Sequence, residues 1–252
     1  MKKRIRTIVL TGTHGMVAPA LIRILNTKEY NCVAWNRDDH DPSNSEEVLS
    51  VLNEIRPLAV FHLAYGPFSW SKDMALYCLQ NDIKFVYIST VNVYGDRKGP
   101  HYVDSDIIPN DDYSRYKSES EKVVLETNPN SYIIRIGWQI GPLDEKHDNS
   151  MLQYILRNMK ERGYVEADDT HLLSASFVED CAESIVDIFQ NLEPSLYLVN
   201  GNFDMSFYDV CVYLENLYPE LGIVVKRVSN MNKNEIMIDE RTRCKIIKDK
   251  RR

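Results

Sequence analysis

The amino-terminal part of the chain reads as a β-strand, a glycine-containing turn and an α-helix in immediate succession. An apolar run at residues 7–10 leads into TGTHGMVA, and residues 16–25 then repeat apolar side chains at helical spacing. Gly12 and Gly15 lack side chains, so the backbone can turn tightly and a pyrophosphate can approach the N–H groups that open the helix. Ala18 is a third small residue, where such a helix passes close to its strand. A plain βα turn has the same spacing, but the position at the first strand favours a dinucleotide-binding turn. The residues predicted to bind the cofactor here are Gly12, Thr13, His14, Gly15, Met16 and Val17.

Short apolar runs alternate with helical patterns along the rest of the chain. Strands are predicted at residues 7–10, 32–35, 58–63, 85–89, 132–136, 196–199 and, near the carboxyl end, 223–228. Helices are predicted at residues 180–192 and 207–217, and another after a capping box formed by Ser43 and Glu46. Strands that alternate with helices form a parallel sheet covered on both faces. We therefore predict an α/β fold, a Rossmann-type doubly wound parallel sheet with a small carboxyl-terminal substrate lobe.

Tyr113 and Lys117 stand four residues apart in DDYSRYKSESEKVV, which places both side chains on one face of a helix. A free tyrosine has a pKa of about 10 and transfers protons poorly near neutral pH. A neighbouring cation favours the phenolate, so we expect Lys117 to lower the pKa of Tyr113 into a range useful for acid–base chemistry on an alcohol or ketone. The pair alone is not specific, because both residues recur at this spacing on exposed helices. Tyr116 cannot share that face and is expected to pack.

Six segments together resemble the extended short-chain dehydrogenase/reductases, and among these most closely the dTDP-4-dehydrorhamnose reductase group. The segments are TGTHGMVA, FHLAY, YISTVNVYG, DDYSRYKSESE, IIRIGWQIGP and VEADDTHLLSASFVEDCAESI, and they extend over nearly the whole chain. Their order and content are far more specific than any one of them. The resemblance implies an NAD(P)-dependent oxidoreductase that acts on a nucleotide sugar.

The resemblance also implies roles for individual residues. The glycine turn would bind the cofactor pyrophosphate, Thr90 would polarise the substrate carbonyl, and Tyr113 and Lys117 would complete the catalytic triad. Thr90 follows a predicted strand at its carboxyl end, the edge where open α/β sheets bind ligands. Ser89 is the alternative for the hydroxyl role. The matching segments add Leu63, Ala64 and Tyr65 to the predicted cofactor site and Val91 and Trp138 to the predicted substrate site. Asn149 joins the predicted substrate site from WQIGPLDEKHDNSMLQYILR, which also resembles the reductase group.

The choice between NADP and NAD depends on the end of the second predicted strand. NAD sites usually offer a carboxylate to the ribose 2′-hydroxyl, whereas NADP sites offer cations to a 2′-phosphate. The chain has Asn36 where an acid would stand and Arg37 directly after it, which favours NADP. NAD stays an alternative, because Asp38 or Asp39 could reach the ribose.

The chain departs from the pattern of extended members in two places. Only about twenty residues separate Tyr65 from Tyr87, where extended members carry a longer segment with a helix and an asparagine of the site. The carboxyl-terminal part is also small, which leaves the sugar open. We expect one domain over residues 1–252, with about 1–140 mainly binding the cofactor and about 141–252 contributing the substrate lobe. Residues 168–172 are expected beneath that lobe.

Charge and composition narrow the class of partner. A net charge of −7 argues against a general nucleic-acid binder, and the short basic ends MKKRIR and KDKRR are typical of solvated termini. The five cysteines show no C-x-x-C spacing, which favours a reducing cytoplasm. No apolar run reaches transmembrane length, and the first is too short for a secretory signal. The histidines, His147 among them, lack ligand partners at metal-binding spacing, so no metal is predicted.

The sequence therefore predicts an NADP(H)-dependent reductase of a nucleotide-activated 4-keto-6-deoxy sugar. One alternative is an NAD-dependent nucleotide-sugar epimerase or dehydratase. Dehydratases usually carry an Asp-Glu pair after the catalytic threonine, whereas Val91 and Asn92 follow Thr90 here. A second alternative is a non-catalytic, cofactor-binding regulatory subunit. The sequence does not fix the sugar, the nucleotide base or the oligomeric state, with a homodimer among the options.

Overall fold

The computed structural model describes residues 6–141 and 149–250 of the chain. The outermost residues of both basic ends, His147 and the 142–148 part of the matching segments lie outside the described residues. The strands are β1 (Arg6–Thr11), β2 (Tyr30–Ala34), β3 (Ala59–His62), β4 (Lys84–Thr90), β5 (Tyr132–Ile136), β6 (Trp138–Ile140), β7 (Val165–Asp168), β8 (His171–Leu172), β9 (Ala175–Phe177), β10 (Leu196–Val199), β11 (Val225–Val228) and β12 (Lys233–Asn234). The helices are α1 (Val17–Thr27), α2 (Ser45–Ile55), α3 (Phe68–Gln80), α4 (Asp112–Thr127), α5 (Met151–Arg162), α6 (Val178–Asn191) and α7 (Phe207–Leu217). Short 3₁₀ helices cover Val91–Tyr94, Pro219–Leu221 and Ile247–Asp249.

Six strands form one parallel sheet in the order β10-β5-β4-β3-β1-β2. The register places Leu10 opposite Phe61 and Ile88 opposite Ile134. The order reverses between β1 and β3, because the chain passes from β1 outward to β2 and then returns to the other side of β1. Crevices at the carboxyl ends of strands at such a reversal are where open α/β sheets bind ligands. The predicted doubly wound α/β fold is confirmed.

Two apolar layers cover the faces of this sheet. Ile8 and Leu10 pack into the layer that holds α1 and α6, while Val9 between them packs into the layer of α2 and α3. This alternation follows from the two-residue period of a strand. Because both faces are covered, the central strands read as nearly continuous apolar runs, which is how they were predicted.

The predicted capping box at α2 is wrong. Asn44 is the residue that caps this helix, since its side chain accepts a hydrogen bond from the backbone N–H of Glu47. The Ser43 hydroxyl instead donates to the carboxylate of Asp41. Asparagine and serine both favour the cap position, and the local fold around Asp41 decides between them.

A smaller lobe lies beyond β5 and has its own apolar core. Helices α5 and α7 pack there with the parallel strand pairs β7–β11 and β6–β9. The chain returns from the lobe to the sheet through α6 and β10. The short connection between β3 and β4 contains the single helix α3, so the departure noted in the sequence leaves the central sheet intact. The carboxyl ends of β1, β3, β4 and β5 face the lobe across a cleft, which residues from both sides line.

Candidate active site

A cavity of about 490 Å³ lies in this cleft. Residues from the turn after β1, the end of β4, helix α4 and the lobe all line it. The predicted site residues in its lining are Gly12, Gly15, Met16, Val17, Leu63, Thr90, Val91, Tyr113, Lys117, Trp138 and Asn149. Thr13, His14, Arg37, Ala64 and Tyr65 lie outside its lining. Residues from both parts of the fold therefore meet around one cavity.

The glycine turn is shaped by close backbone contact. Gly12 has φ 69°, and a Cβ atom built on it would lie 2.8 Å from the backbone nitrogen of Ala64. The backbone N–H of Gly15 donates to the carbonyl of Gly12 at 2.9 Å, which closes the turn. Only glycine fits such a position without strain.

The amino end of α1 is suited to an anion. Among the described residues, no side chain caps this end of the helix, and its first turn contains no acidic residue. Side chains cap α2, α4, α5 and α7, whereas α3 and α6 lack a side-chain cap as α1 does, and of these three only α1 begins at a glycine turn in the cavity lining. Uncapped N–H groups and the positive end of the helix dipole attract a phosphate. The turn thus fits the pyrophosphate of a dinucleotide.

A buried polar chain holds the loop that follows β3. The Thr11 hydroxyl lies 2.9 Å from Nδ1 of His62, and Nε2 of His62 lies 3.1 Å from the Ser71 hydroxyl. The same Thr11 oxygen accepts the backbone N–H groups of Leu63 at 3.1 Å and Ala64 at 3.2 Å. Burial lowers the pKa of His62 to about 3, and nearby cations act in the same direction, so the ring stays neutral. Sequence reasoning missed this role, because a polar residue inside an apolar strand gives no spacing signal.

Thr90, Tyr113 and Lys117 converge at the carboxyl end of β4. Thr90 is buried, and its hydroxyl oxygen accepts the backbone N–H of Asn92 at 3.2 Å. Tyr113 lies in the first turn of α4, whose start is fixed by a reciprocal capping box between Asp111 and Ser114. The Lys117 ammonium is one turn further on, and it donates to the carbonyl of Ile88 at 2.9 Å. The capped helix therefore presents the phenol and the ammonium to the cavity together.

The expected lowering of the Tyr113 pKa is wrong for the free protein. Although 45% of Tyr113 is exposed, desolvation of the phenol by the surrounding elements raises the pKa of Tyr113, and the hydrogen bond from Thr90 opposes this only in part. Burial also lowers the pKa of Lys117 to about 8, while Glu121 acts in the opposite direction. Desolvation penalises the charged form of both groups, which sequence spacing could not reveal. Tyr113 is accordingly a protonated phenol at neutral pH, able to donate a proton.

A buried ion pair lies behind the triad. The Arg135 guanidinium on β5 donates to both carboxylate oxygens of Glu121, at 3.0 and 2.7 Å, and to the Tyr94 hydroxyl at 2.9 Å. Glu121 lies one helical turn after Lys117 on α4. The pair therefore ties helix α4 to the sheet beneath it. Sequence analysis did not find this contact, because the two partners come from different elements.

Arg37 lies just after β2. Its guanidinium donates to the backbone carbonyl of Tyr65, and its carbon Cζ lies 5.0 Å from the centre of the Trp70 ring. Asn36 accepts the backbone N–H of Asp38 at 3.1 Å. Arg37 is exposed and stands beside the loop that the Thr11–His62 chain holds, so it can approach a ligand bound over the sheet edge.

The lobe side of the cavity carries both apolar and polar groups. The Trp138 ring packs against Tyr154 and Phe207, and its Nε1 donates to the carbonyl of Asn149 at 3.4 Å. The polar residues of the cavity lining that the sequence did not point to are Asn92, Gln139, Ser174 and Glu235, and Ser89, the alternative for the hydroxyl role, also lines the cavity. Ser89 Oγ and Gln139 Oε1 are buried without a hydrogen-bond partner within the described residues. Unpaired buried polar atoms in a cleft point to a polar ligand.

Residues 168–172 extend from the end of β7 through a turn into β8, within the lobe and outside the cavity lining. The Asp168 carboxylate accepts the N–H groups of Thr170, Asn230 and Met231, so it fixes the lobe itself.

Within residues 6–141 and 149–250, no group of three or more His, Cys, Asp or Glu side chains could hold a metal ion. None of the helices in the described residues is long and apolar enough to cross a membrane.

Comparison with known proteins identifies a family and similar folds. The family model of the RmlD substrate binding domain matches residues 68–230. A dTDP-4-dehydrorhamnose reductase of Aggregatibacter actinomycetemcomitans is 21% identical over 229 residues, 81% of this chain and 76% of the relative. The spore coat polysaccharide biosynthesis protein SpsK of Bacillus subtilis is 28% identical over 219 residues, 80% of this chain and 76% of the relative. The crystal structure of the dTDP-4-dehydrorhamnose reductase of Bacillus anthracis in complex with NADP superposes with a TM-score of 0.78 at 22% identity, covering 93% of this chain and 90% of that one.

Proposed function

The chain belongs to the RmlD substrate binding domain family, and we propose that it is an NADPH-dependent reductase of a nucleotide-activated 4-keto-6-deoxy sugar. The observation that carries this proposal is the meeting of Thr90, Tyr113 and Lys117 with the uncapped amino end of α1 around one cavity. A relative and a structural neighbour named as dTDP-4-dehydrorhamnose reductases support the choice of substrate class.

The residues present fit a dinucleotide cofactor. Gly12 has no side chain, so the turn passes close to Ala64 and a pyrophosphate can approach the backbone. The amino end of α1, which no side chain caps, offers N–H donors to it. Arg37 would pair with a 2′-phosphate, which favours NADP over NAD. The neighbour solved with NADP supports this choice. When bound, NADPH supplies the hydride that reduces the keto carbon.

The protein's own groups manage the charge on the keto oxygen. Thr90 donates a hydrogen bond to that oxygen and polarises the carbonyl. Tyr113 then donates its proton to the oxygen as negative charge develops there. The raised pKa of Tyr113 keeps the phenol protonated before turnover, which suits the direction of reduction. Lys117 stabilises the phenolate left behind and holds the cofactor ribose. The intact triad and the absence of an acid pair after Thr90 in the sequence favour this role over the alternatives.

We assign the parts of the chain accordingly. Residues 1–140 mainly bind the cofactor, and residues 141–252 contribute the substrate lobe, with α6 and β10 returning to the sheet. Val91, Trp138 and Asn149 contact the substrate from the cavity wall. The five cysteines are free, which favours work in a reducing, cytoplasmic compartment.

Oxidation of NADPH with a panel of 4-keto nucleotide sugars tests the proposal. Tyr113→Phe should lower kcat by at least about 100-fold, the scale of positioned acid–base catalysis, and should leave NADPH affinity unchanged. Tyr102→Phe is a matched control, because Tyr102 is an exposed tyrosine outside the cavity lining. If the wild-type protein turns over no member of the panel, the reductase proposal fails. Changed activity of a co-purified partner protein would then favour the regulatory subunit.

A further inference from the structure

Two hydrogen bonds of its backbone fix Glu235 on the lobe side of the cavity. Its N–H donates to the carbonyl of Leu172 at 2.7 Å. Its carbonyl accepts the Ser174 hydroxyl at 2.8 Å, and the same hydroxyl oxygen accepts the N–H of Met237 at 2.8 Å. Ser174 and Glu235 both line the cavity. The segment after β12 is therefore locked to the wall that faces the triad.

The Glu235 carboxylate is held by a histidine and a lysine. Oε2 lies 2.8 Å from Nε2 of His171, and Oε1 lies 2.6 Å from Nζ of Lys233. Burial acts to raise the pKa of Glu235, but the hydrogen bonds from His171 and Lys233 outweigh it and lower the pKa. The carboxylate is thus ionised at neutral pH. A carboxylate offers about four acceptor positions, so two partners leave it able to accept more hydrogen bonds.

The charged side chains that line the cavity restrict which groups of a ligand can lie against the lobe wall that contains Glu235. Lys117 and Glu235 are the two charged side chains among the described residues that line the cavity, and His171 and Lys233 stand outside the lining. An ionised carboxylate accepts hydrogen bonds and donates none. Because Lys233 and His171 contact the carboxylate from outside the lining, a diphosphate or a second carboxylate inside the cavity would meet the negative oxygens first and be bound less well than a hydroxyl. The uncharged sugar is the part of a nucleotide sugar that suits this position.

We propose that Glu235 accepts a hydrogen bond from a ring hydroxyl of the sugar and selects neutral hexoses against hexuronates. The inference rests on the proposed function, since it assumes that a nucleotide sugar enters the cavity. It makes Glu235 a specificity-determining residue, separate from the triad that handles the keto oxygen.

Calorimetry on the NADP-bound protein with four probes tests this assignment. The probes are dTDP-glucose, dTDP-glucuronate, UDP-glucose and UDP-glucuronate. The wild-type protein should bind the glucose form of its preferred nucleotide more tightly than the glucuronate form. Glu235→Gln should reduce the ratio of the glucuronate to the glucose dissociation constant by about 10-fold or more, because it removes the repelling charge and keeps an acceptor oxygen. Glu235→Asp keeps the charge and should keep the preference.

Glu166→Gln is a matched control, because Glu166 lies on β7 outside the cavity lining and pairs with the exposed Lys226. NADP affinity should stay unchanged in all variants, which separates a sugar contact from damage to the fold. An unchanged glucose-to-glucuronate ratio in Glu235→Gln would overturn the inference and leave the reductase intact. Binding of none of the four probes, together with no turnover of the 4-keto panel, would overturn both.

Discussion

Replacement of Lys117 by methionine should make the free protein more stable while it damages turnover. Lys117 is 4% exposed, and within the described residues its ammonium donates to the carbonyl of Ile88 at 2.9 Å and lies 4.9 Å from the centre of the Tyr87 ring. Burial lowers its pKa from 10.5 to about 8. At about 1.4 kcal/mol per pKa unit, the charged lysine lowers the free energy of unfolding by about 3 kcal/mol. Loss of the hydrogen bond to Ile88 costs about 1 kcal/mol and loss of the contact with the Tyr87 ring costs about 1 kcal/mol, so the net gain should be about 1 kcal/mol.

The sign of this effect depends on pH in a defined way. Below pH 8 the lysine is protonated in both states, and the folded protein bears the full penalty of burial. Between pH 8 and 10.5 the unfolded chain binds more protons than the folded protein, so wild-type stability rises with pH relative to the variant. Above pH 10.5 the penalty disappears. The advantage of Lys117→Met should therefore be largest at neutral pH and shrink steadily above pH 8.

Urea unfolding of both proteins without cofactor, at pH 7 and at pH 10, measures this difference. Lys122→Met is the matched control, because Lys122 lies on the same helix with its side chain 61% exposed. Its substitution should change the free energy of unfolding by less than about 0.5 kcal/mol at either pH. A Lys117→Met variant that is no more stable than wild type at pH 7, or whose advantage does not depend on pH, would refute the reasoning. Turnover and NADPH affinity should both fall in this variant, since the ammonium serves the phenolate and the ribose.

Three further substitutions test other parts of the site. Arg37→Ala should narrow the preference for NADPH over NADH by about 1 to 3 kcal/mol in calorimetry, and an equal loss for both cofactors would contradict a 2′-phosphate contact. Gly12→Ala should cost at least about 1 to 2 kcal/mol in thermal unfolding and weaken NADPH binding, because its φ of 69° is left-handed and the new Cβ would lie 2.8 Å from the Ala64 nitrogen. Glu121→Gln should cost about 3 to 5 kcal/mol in urea unfolding, because it leaves Arg135 buried without its carboxylate, and a change under 1 kcal/mol would show that the pair does not hold the helix.

The sequence by itself determined the elements and the order in which they follow one another. The strands at residues 132–136 and 196–199 and the helix at 207–217 were predicted at their observed bounds, because side-chain periodicity is a local property of strands and helices. The four-residue spacing of Tyr113 and Lys117 likewise placed both side chains at one cavity. Such spacing is preserved whenever the helix forms.

Only the tertiary structure decided the electrostatics of the site and the residues that complete it. The pKa of Tyr113 rises because burial outweighs its polar neighbours, and burial depends on elements that pack from elsewhere in the chain. The contact of His62 with Thr11 and the arrival of Glu235 opposite the triad join residues far apart in sequence. No local pattern marks such pairs, since their distance is set by how the sheet, the helices and the lobe pack together.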